Sequence, residues 1–327
     1  MTYPSVYPTG VTIYDPGQCW NGFTIFQAKH LGALLIDKNG TEVKLWKGLH
    51  GFPNKMRPGG YVLATTGERN TKYGMQDYLD VVQVDWDGNI VWKFNEYEYV
   101  EDPGEEPQWM ARHHHDFQRQ GNPVGYYAPG MDPLTDSGNT LILCHKNVQN
   151  SKISDKLLLD DAIIEVNWDG EVIWEWVLSD HFHEFDWSEE ARNVLFRDPN
   201  VRNAGGDWMH INAMSPLGPN KWYEAGDKRF HPDNIIWSAR ETNIIAIIDK
   251  QTGEVVWKEN GIGLDSGTLI AQDGKIYLPS ASNIFSSFDA VTGELLSEGN
   301  TNEEEKGKHT GFNASPAFAD GVAFFSA

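Results

Sequence analysis

The feature that most constrains the fold of this chain is a β-hairpin pattern that occurs five times. In each copy an apolar strand leads to Asp or Asn, a turn that ends in glycine follows, and a second β-rich strand completes the unit. Glycine fits the turn position that needs a positive φ, and the alternation of apolar and polar residues buries one face of each strand. The copies read LIDKNGTEVKLW (35–46), QVDWDGNIVWKF (83–94), EVNWDGEVIWEW (165–176), IIDKQTGEVVWK (247–258) and SFDAVTGELLSE (287–298).

The spacing of the hairpins predicts four-stranded sheets. The turn glycines follow one another at intervals of 48, 82, 83 and 40 residues, and the short intervals match the roughly 40–50 residues of one propeller blade. Two more strand-like segments follow each hairpin, and the long intervals hold loop-like insertions at 121–138 and 218–233. We therefore predict an all-β protein, a β-propeller of five to six four-stranded blades that forms a single domain over residues 1–327.

Segments outside the repeat fit the same interpretation. Residues 11–16 and 23–28 add two strands that either help to close the ring or begin a sixth blade. Helical periodicity is limited to a short turn near residues 187–196. The end of the chain on a strand, VAFFSA, indicates either ring closure at that point or a sequence that is cut short.

The charge of the chain excludes several kinds of partner. A formal net charge of −21 argues against nucleic acid, because phosphate binding needs clustered Lys and Arg, and against docking on anionic membranes. The sequence has no apolar run of the roughly 18 residues that a membrane helix needs. The charge leaves a small phenolic or anionic substrate open, although an anion would need local positive charge at its site. The oligomeric state stays open.

The cellular compartment is weakly constrained. No secretory signal is visible, so we expect the cytoplasm by default, or the periplasm or secretion if a mature form was given a new start Met. Cys19 and Cys144 are interpreted as two small buried residues, although a disulfide between them stays open.

A run of three histidines marks the first candidate site. The stretch ARHHHDFQRQ (111–120) carries His113, His114, His115 and Asp116 on the strand that follows the second hairpin, which should approach a propeller channel. Successive side chains of a strand point to opposite faces. His114 should therefore oppose His113 and His115, so that not all three serve one site.

The next repeat supplies further candidates. DWMHINAM carries Asp207, His210 and Asn212, and WSAR ends in Arg240. Residues of successive blades can converge on one axis, although they are far apart in sequence. We expect Asp116 and Asp207 to orient neighbouring histidines or to cap turns. The Arg240 guanidinium is suited to an anion, with a bridge to a surface carboxylate as the alternative.

The other histidines are assigned structural or weak roles. His181 and His183 alternate with Phe182 and could share one strand face, which makes them weak metal candidates, although a solvated acidic loop is favoured. A partly buried, hydrogen-bonded role without chemistry is expected for His30, His50, His145 and His231.

The motifs occur in an order that resembles one family. YPTGVTIYDPGQCWNGFTIF, ALLIDKNGTEVKLW, HHDF, DDAIIEVNWDGEVIWEWVLSDH, DWMHIN and NIIWSARETNIIAIID…TGEVVW follow one another over roughly residues 8–260. This combination resembles the PAPS-independent arylsulfotransferases. The resemblance implies a β-propeller enzyme that moves a sulfuryl group from a phenolic sulfate ester to another phenol through a histidine, without a nucleotide or other cofactor. The implied site residues are His114, His115, Asp116, His210 and Arg240.

The last part of the chain departs from that family. The resemblance predicts a nucleophilic histidine after the fourth hairpin, where residues 263–274 read GLDSGTLIAQDG without one. His309 lies one repeat later, and residues 261–327 resemble PQQ-type propeller repeats. The predicted function is sulfuryl transfer through His309 or His210. The alternatives are a lyase or hydrolase that uses the same His/Arg cluster, with or without a metal, and a binding propeller without catalysis.

Overall fold

The computed structural model describes most of the chain in two compact units. The first unit comprises residues 1–113 and 126–138, and the second comprises residues 114–125 and 139–327. Within these bounds the described residues are 11, 14–17, 19, 21–74, 76–121, 134–199, 206–260, 270–272, 274–279, 284–289, 291–300, 317–319 and 322–324.

The protein is all-β, as predicted. Its described strands are β1 (Thr24–Ala28), β2 (Gly32–Ile36), β3 (Glu42–Trp46), β4 (His50–Met56), β5 (Val62–Thr65), β6 (Val81–Val84), β7 (Ile90–Phe94), β8 (Glu98–Val100), β9 (Gln108–Met110), β10 (His113–Arg119), β11 (Thr140–Val148), β12 (Leu158–Val166), β13 (Val172–Val177), β14 (Ile211–Pro216), β15 (Ile235–Ala239), β16 (Ile244–Ile248), β17 (Val255–Asn260), β18 (Ile270–Gln272), β19 (Lys275–Pro279), β20 (Ile284–Asp289), β21 (Leu295–Asn300), β22 (Ala317–Ala319) and β23 (Val322–Phe324).

Consecutive strands pair into antiparallel sheets. The first unit holds the sheets β1-β2-β3, β4-β5-β6-β7 and β8-β9, and the second holds β10-β11-β12-β13, β14-β15-β16-β17, β18-β19-β20-β21 and β22-β23. All five predicted hairpins are confirmed, as β2–β3, β6–β7, β12–β13, β16–β17 and β20–β21. Their turn glycines have φ angles from 75° to 91°, the conformation that the turn chemistry predicts.

The predicted grouping of hairpins and flanking strands is wrong. Each four-stranded sheet consists of two strands followed by a hairpin, so β6–β7 closes the sheet that β4 begins, and β12–β13 closes the sheet that β10 begins. The second hairpin strands β7 and β13 expose much of their surface, as sheet edges do. The histidine-rich strand β10 therefore belongs with the hairpin at 165–176 and not with the hairpin at 83–94.

Tryptophans at the ends of hairpins fix one sheet to the next within each unit. The Trp46 indole donates to the backbone oxygen of Asp85 over 3.0 Å in the first unit, and the Trp176 indole donates to that of Gly253 over 2.9 Å in the second. Both acceptors lie in the turn of the following hairpin. Each bond satisfies a buried polar group, so the repeated tryptophans stabilise the stacking of successive sheets.

Segments between the sheets differ in part from the predictions. The turn expected near 187–196 is a helix, α1 (Glu189–Arg197), and the Ser188 hydroxyl caps it by accepting from the Ala191 amide over 3.2 Å. The insertion at 218–233 contains the short helix α2 (Lys221–Glu224) and a 3-10 turn at Lys228–Phe230. The strand predicted at 23–28 is β1, whereas the described residues of 11–16 are not in a strand and residues 12–13 lie outside the described part.

Two further findings concern the sulfur atoms and the membrane. Cys19 is exposed, Cys144 is buried, and both are free thiols. Among the described residues, the helices are too short and too polar to span a bilayer.

Candidate active site

Two histidines of the second unit have unusual backbone conformations. His115 on β10 has a φ of 54°, and His210, directly before β14, has a φ of 56°. Positive φ angles are uncommon outside glycine because they cost energy. Residues that keep them are held there by the surrounding structure, and such residues are concentrated at functional sites. The left-handed turn at His115 also breaks the strand alternation. The prediction that His114 and His115 oppose each other is therefore wrong: their Nδ1 atoms lie 3.0 Å apart.

Behind this pair lies a buried carboxylate. Asp161 on β12 places Oδ1 3.1 Å from Nε2 of His114, a charge contact that is bent away from ideal hydrogen-bond geometry. Its other oxygen, Oδ2, accepts from the Ile211 amide over 3.1 Å. Asp161, His114 and His115 thus form a chain of contacts that runs from the interior of the sheet towards His210.

A third histidine holds His114 in place from the side. The His145 ring stacks on the His114 ring, with centroids 3.9 Å apart and planes 10° apart. His145 lies on β11 directly opposite Asp161 on β12 in the strand register. All three residues are buried, so the position of the His114 ring is fixed by stacking and by charge together.

His210 has its own carboxylate. Its Nδ1 lies 2.5 Å from Oδ2 of Asp207, a contact that fixes the imidazole tautomer when Nδ1 carries the proton. Nε2 of His210 is buried and has no hydrogen-bond partner among the described residues. The lone pair of a neutral His210 is therefore held at Nε2, the atom that can act as a nucleophile or a base.

The two assemblies meet ring to ring. The His115 and His210 rings contact edge to face, with centroids 4.9 Å apart and planes 77° apart, and the His114 centroid lies 6.4 Å from that of His210. His210, which contacts Asp207 directly, and the half-buried His115, which is connected to Asp161 through His114, thus lie side by side.

Burial shifts the pKa of two adjacent carboxyls in this region. Asp160 accepts from the Trp208 indole over 2.8 Å and from the Ser179 amide over 2.9 Å, yet desolvation raises its pKa to about 7. Desolvation also raises the pKa of Asp161 to about 7, and the nearby charge of Asp207 adds to the effect, while His210 opposes it. Both carboxyls therefore titrate near neutral pH.

The cluster contains ligand types that a metal could use. Among the described residues, the only set of three potential ligand atoms comes from His114, His145 and Asp161, and these atoms lie within 4.8 Å of one another. Imidazole ligands hold a metal in the ring plane, and two parallel stacked rings cannot share one ion in that way. The stacked arrangement therefore fits a chain of hydrogen-bonding groups better than a metal centre.

One protein-family model matches the part of the chain that carries most of these residues. Residues 133–260 match the arylsulfotransferase (ASST) family model. The predicted resemblance is confirmed over these residues, and the match supports an arylsulfotransferase-like function. His145, Asp161, Asp207, His210 and Arg240 lie within the matched arylsulfotransferase segment, whereas His114 and His115 precede it.

Other comparisons add no function. No curated protein matches the chain. A solved structure titled as a protein of unknown function from Bacteroides caccae at 1.35 Å resolution shares 14% sequence identity, covers 89% of this chain and 76% of its own, and has a TM-score of 0.43.

Three further residues predicted from the sequence lie on or beside the strands that carry the cluster. Arg240 donates its backbone amide to the His210 oxygen over 2.9 Å, while its guanidinium donates to Glu241 over 2.7 and 3.0 Å. Asp116 accepts from the Met214 amide over 3.3 Å and so ties β10 to β14. Asn212, on β14, has a buried Oδ1 without a hydrogen-bond partner among the described residues.

The structure places the remaining predicted candidates elsewhere or does not describe them. His113 is the first residue of β10, but it falls in the first unit, which ends there, and its ring packs on Tyr78 with centroids 4.8 Å apart. His309 lies outside the described residues.

His181 and His183 do not share a strand face, because they lie in the 3-10 helix Leu178–Glu184. His181 stacks on Trp176 with centroids 4.8 Å apart and pairs with Glu184 over 2.6 Å, while His183 is exposed. Among the described residues they do not belong to the set of three potential ligands, and their weak metal role stays a prediction.

Sequence reasoning missed two residues of the cluster. His145 was assigned a structural role, and Asp161 was part of a motif without a role of its own. The signal that could have found them is the pairing of two long apolar strands, at 140–148 and 158–166, which brings the histidine of CHK opposite the second aspartate of DDAII.

Proposed function

We propose that this protein transfers a sulfuryl group from an aryl sulfate ester to a phenol, with His210 as the covalent carrier. The observation that carries the proposal concerns the two ring nitrogens of His210. Nδ1 contacts Asp207, while the buried Nε2 has no hydrogen-bond partner among the described residues. The arylsulfotransferase match over residues 133–260 supports the class of reaction.

In the first half of the reaction, Nε2 of neutral His210 attacks the sulfur atom. A bond forms between sulfur and Nε2, and the bond between sulfur and the phenolic oxygen breaks. The imidazole ring then carries a positive charge, which the adjacent Asp207 carboxylate stabilises. His115, starting as an imidazolium, gives its Nε2 proton to the departing phenolate, so the first phenol leaves neutral.

The second half reverses these steps with another phenol. His115, now neutral, takes the proton of the incoming hydroxyl, and the phenolic oxygen attacks the sulfur atom on His210. The bond between sulfur and Nε2 breaks, and His210 and protonated His115 are restored. Each proton and each bond is therefore accounted for by two neighbouring imidazoles and two phenols, without an additional cofactor.

Arg240 and Asn212 are proposed to hold the sulfuryl oxygens. Arg240 lies one backbone hydrogen bond from His210, and Asn212 lies two residues after it. Binding would require the Arg240 guanidinium to exchange part of its contact with Glu241 for the sulfate, an exchange that favours an anionic group over a neutral one. We also propose that the four-stranded sheets are the blades of a propeller, which would direct β10 and β14 towards one axis.

The test is a sulfuryl-transfer assay with trapping of the intermediate. Purified protein is incubated with p-nitrophenyl sulfate, with and without a second phenol, and its intact mass and its nitrophenolate release are measured. The proposal predicts a mass gain of one sulfuryl group that maps to His210 and disappears when the acceptor phenol is added. A His210→Gln variant should show neither.

Other outcomes separate the alternatives. An adduct on His309 would move the nucleophile to the segment outside the described residues and overturn the role of His210. Release of nitrophenolate without an adduct and without transfer would indicate a hydrolase that uses His210 as a base for water. Neither release nor adduct with a series of aryl sulfates would overturn sulfuryl transfer.

A further inference from the structure

The arrangement of Asp161, His114 and His115 has a consequence for where protons lie. A neutral imidazole carries one N–H, so only one of the two facing Nδ1 atoms of His114 and His115 can donate at their 3.0 Å contact. Which one donates depends on the other nitrogen of His114, which faces Asp161. The carboxyl group of Asp161 is thus connected to His115 through one intervening ring.

Charge decides the direction of this chain. If Nε2 of His114 had its lone pair towards ionised Asp161, two electron-rich atoms would face each other at 3.1 Å. While Asp161 is ionised, the proton therefore lies on Nε2, His114 accepts at Nδ1, and His115 donates from its own Nδ1. This argument needs no linear hydrogen bond between His114 and Asp161, because the sign of the interaction is electrostatic.

Neighbouring groups hold Asp161, His114 and His115 in this arrangement. The Ile211 amide donates to Oδ2 of Asp161. A rotation of the His114 ring would break its stacking contact with the His145 ring. The positive φ of His115 turns its ring to meet both His114 and His210. Each member is therefore oriented by a different neighbour.

We propose that Asp161 and His114 are positioning residues that hold the proton of His115 on Nδ1, so that His115 exchanges protons with the substrate only through Nε2. This inference rests on the proposed function for its purpose, since the neighbouring Asp207–His210 pair orients the second imidazole in the same sense. His115 keeps its Nδ1 proton both as the neutral base and as the imidazolium acid. The ionised Asp161 also stabilises the imidazolium through His114.

The first test measures the tautomer directly, without any turnover. Proton–nitrogen correlation spectra of protein with isotope-labelled histidine distinguish a protonated Nδ1 from a protonated Nε2 in each ring. In the unmodified protein above the pKa of Asp161, His115 should carry its proton on Nδ1. Asp161→Asn should remove this preference.

A matched control lies next to the tested residue. Asp160→Asn makes the same chemical change in an equally buried carboxyl that bonds to Trp208 and Ser179 and makes no hydrogen bond to a histidine among the described residues. It should leave the His115 tautomer unchanged. If Asp161→Asn does not fold, His114→Phe keeps a ring to stack on His145 and removes both nitrogens, and it should produce the same loss.

The second test asks whether the tautomer matters for catalysis. Asp161→Asn should lower kcat for transfer by roughly 10²-fold or more, as loss of general acid–base catalysis does, with little change in the KM for the donor. The pH profile should change as well, and the titratable groups that face Asp161 in this region are Asp160, Asp207, His114, His145 and His210.

The outcomes separate this inference from the proposed function. An unchanged His115 tautomer in folded Asp161→Asn overturns the positioning role, whatever the activity. A changed tautomer in a protein that never forms a sulfuryl adduct supports the positioning role and overturns the transfer reaction. A fall in kcat that is equal in Asp160→Asn and Asp161→Asn would show a structural effect and would also overturn the inference.

Discussion

Nδ1 of His210 lies 2.5 Å from a carboxylate oxygen of Asp207, and this contact leaves Nε2 as the reactive atom of the ring. Asp207 is itself held by a parallel bridge between its backbone and that of Leu159 on β12. The backbone of Asp207 is thus fixed to the same strand that carries Asp161. The residue that orients His210 is therefore anchored to the sheet through its backbone.

This relationship predicts the effect of replacing Asp207. Asp207→Asn keeps the shape of the side chain but removes the charge that stabilises a positively charged ring, so formation of the His210 adduct should slow by roughly 10²–10⁴-fold. Rapid-quench mass measurement of the adduct checks this. Asp116→Asn, which changes a buried carboxylate bound to the Met214 amide, is the matched control and should have a smaller effect. Equal rates in the Asp207 variant and the unmodified protein would contradict the prediction.

The raised pKa of Asp160 predicts how stability depends on pH. Its pKa is about 7 in the folded protein and about 4 in an unfolded chain. Between these values the unfolded state has lost the proton while the folded state keeps it, so the free energy of unfolding should fall as pH rises from about 4 to about 7. Asp161 contributes in the same direction.

Urea denaturation across this pH range checks the slope. Asp160→Asn removes one of the two titrations, so its free energy of unfolding should fall less steeply with pH. At the acidic end the variant should be less stable by about 0.5–1.5 kcal/mol, because an amide cannot accept both of the bonds that the carboxyl accepts. Parallel curves for the variant and the unmodified protein would show that Asp160 does not titrate in this window.

The hairpins could be predicted from sequence and much of the cluster could not, for physical reasons. A hairpin is a local structure, and the turn of Gly88 or Gly170 depends only on neighbouring residues. The contact of His114 with Asp161 depends on the pairing of strands that are far apart in sequence. The contact between His114 and His115 depends on the positive φ of His115, a conformation that no general rule assigns to histidine.

The grouping of strands failed for a related reason. After β7 the chain could either continue the same sheet or open a new one, and strand propensity is the same in both cases. The burial of β10 and the exposure of β7 show that β7 is the edge of one sheet and that β10 begins another. Burial of this kind becomes visible only in the folded structure. His210 and Asp207 were predicted together because they lie three residues apart, within reach of each other on one loop.

The indole bond of Trp176 predicts a local loss of stability. Trp176→Phe keeps most of the apolar surface and removes the donor to the Gly253 oxygen, which leaves a carbonyl without its partner. The free energy of unfolding should fall by about 0.5–1.5 kcal/mol, with the slope against denaturant unchanged. Trp174→Phe, two residues earlier on the same strand face, is the comparison, because its indole makes no hydrogen bond among the described residues. A loss as large as that of Trp176→Phe would refute the assigned role of the bond.

The stack between His145 and His114 predicts that ring shape matters more than nitrogen chemistry at position 145. His145→Phe preserves a flat ring beside His114, so transfer should stay within a few-fold of the unmodified rate. His145→Ala opens a space into which His114 can shift, and a displacement of that kind can cost roughly 10²-fold in rate. Both variants are assayed for transfer and for the His115 tautomer. The tautomer should be kept in His145→Phe and lost in His145→Ala. Equal losses in both would contradict the role of ring shape and would assign His145 a chemical role.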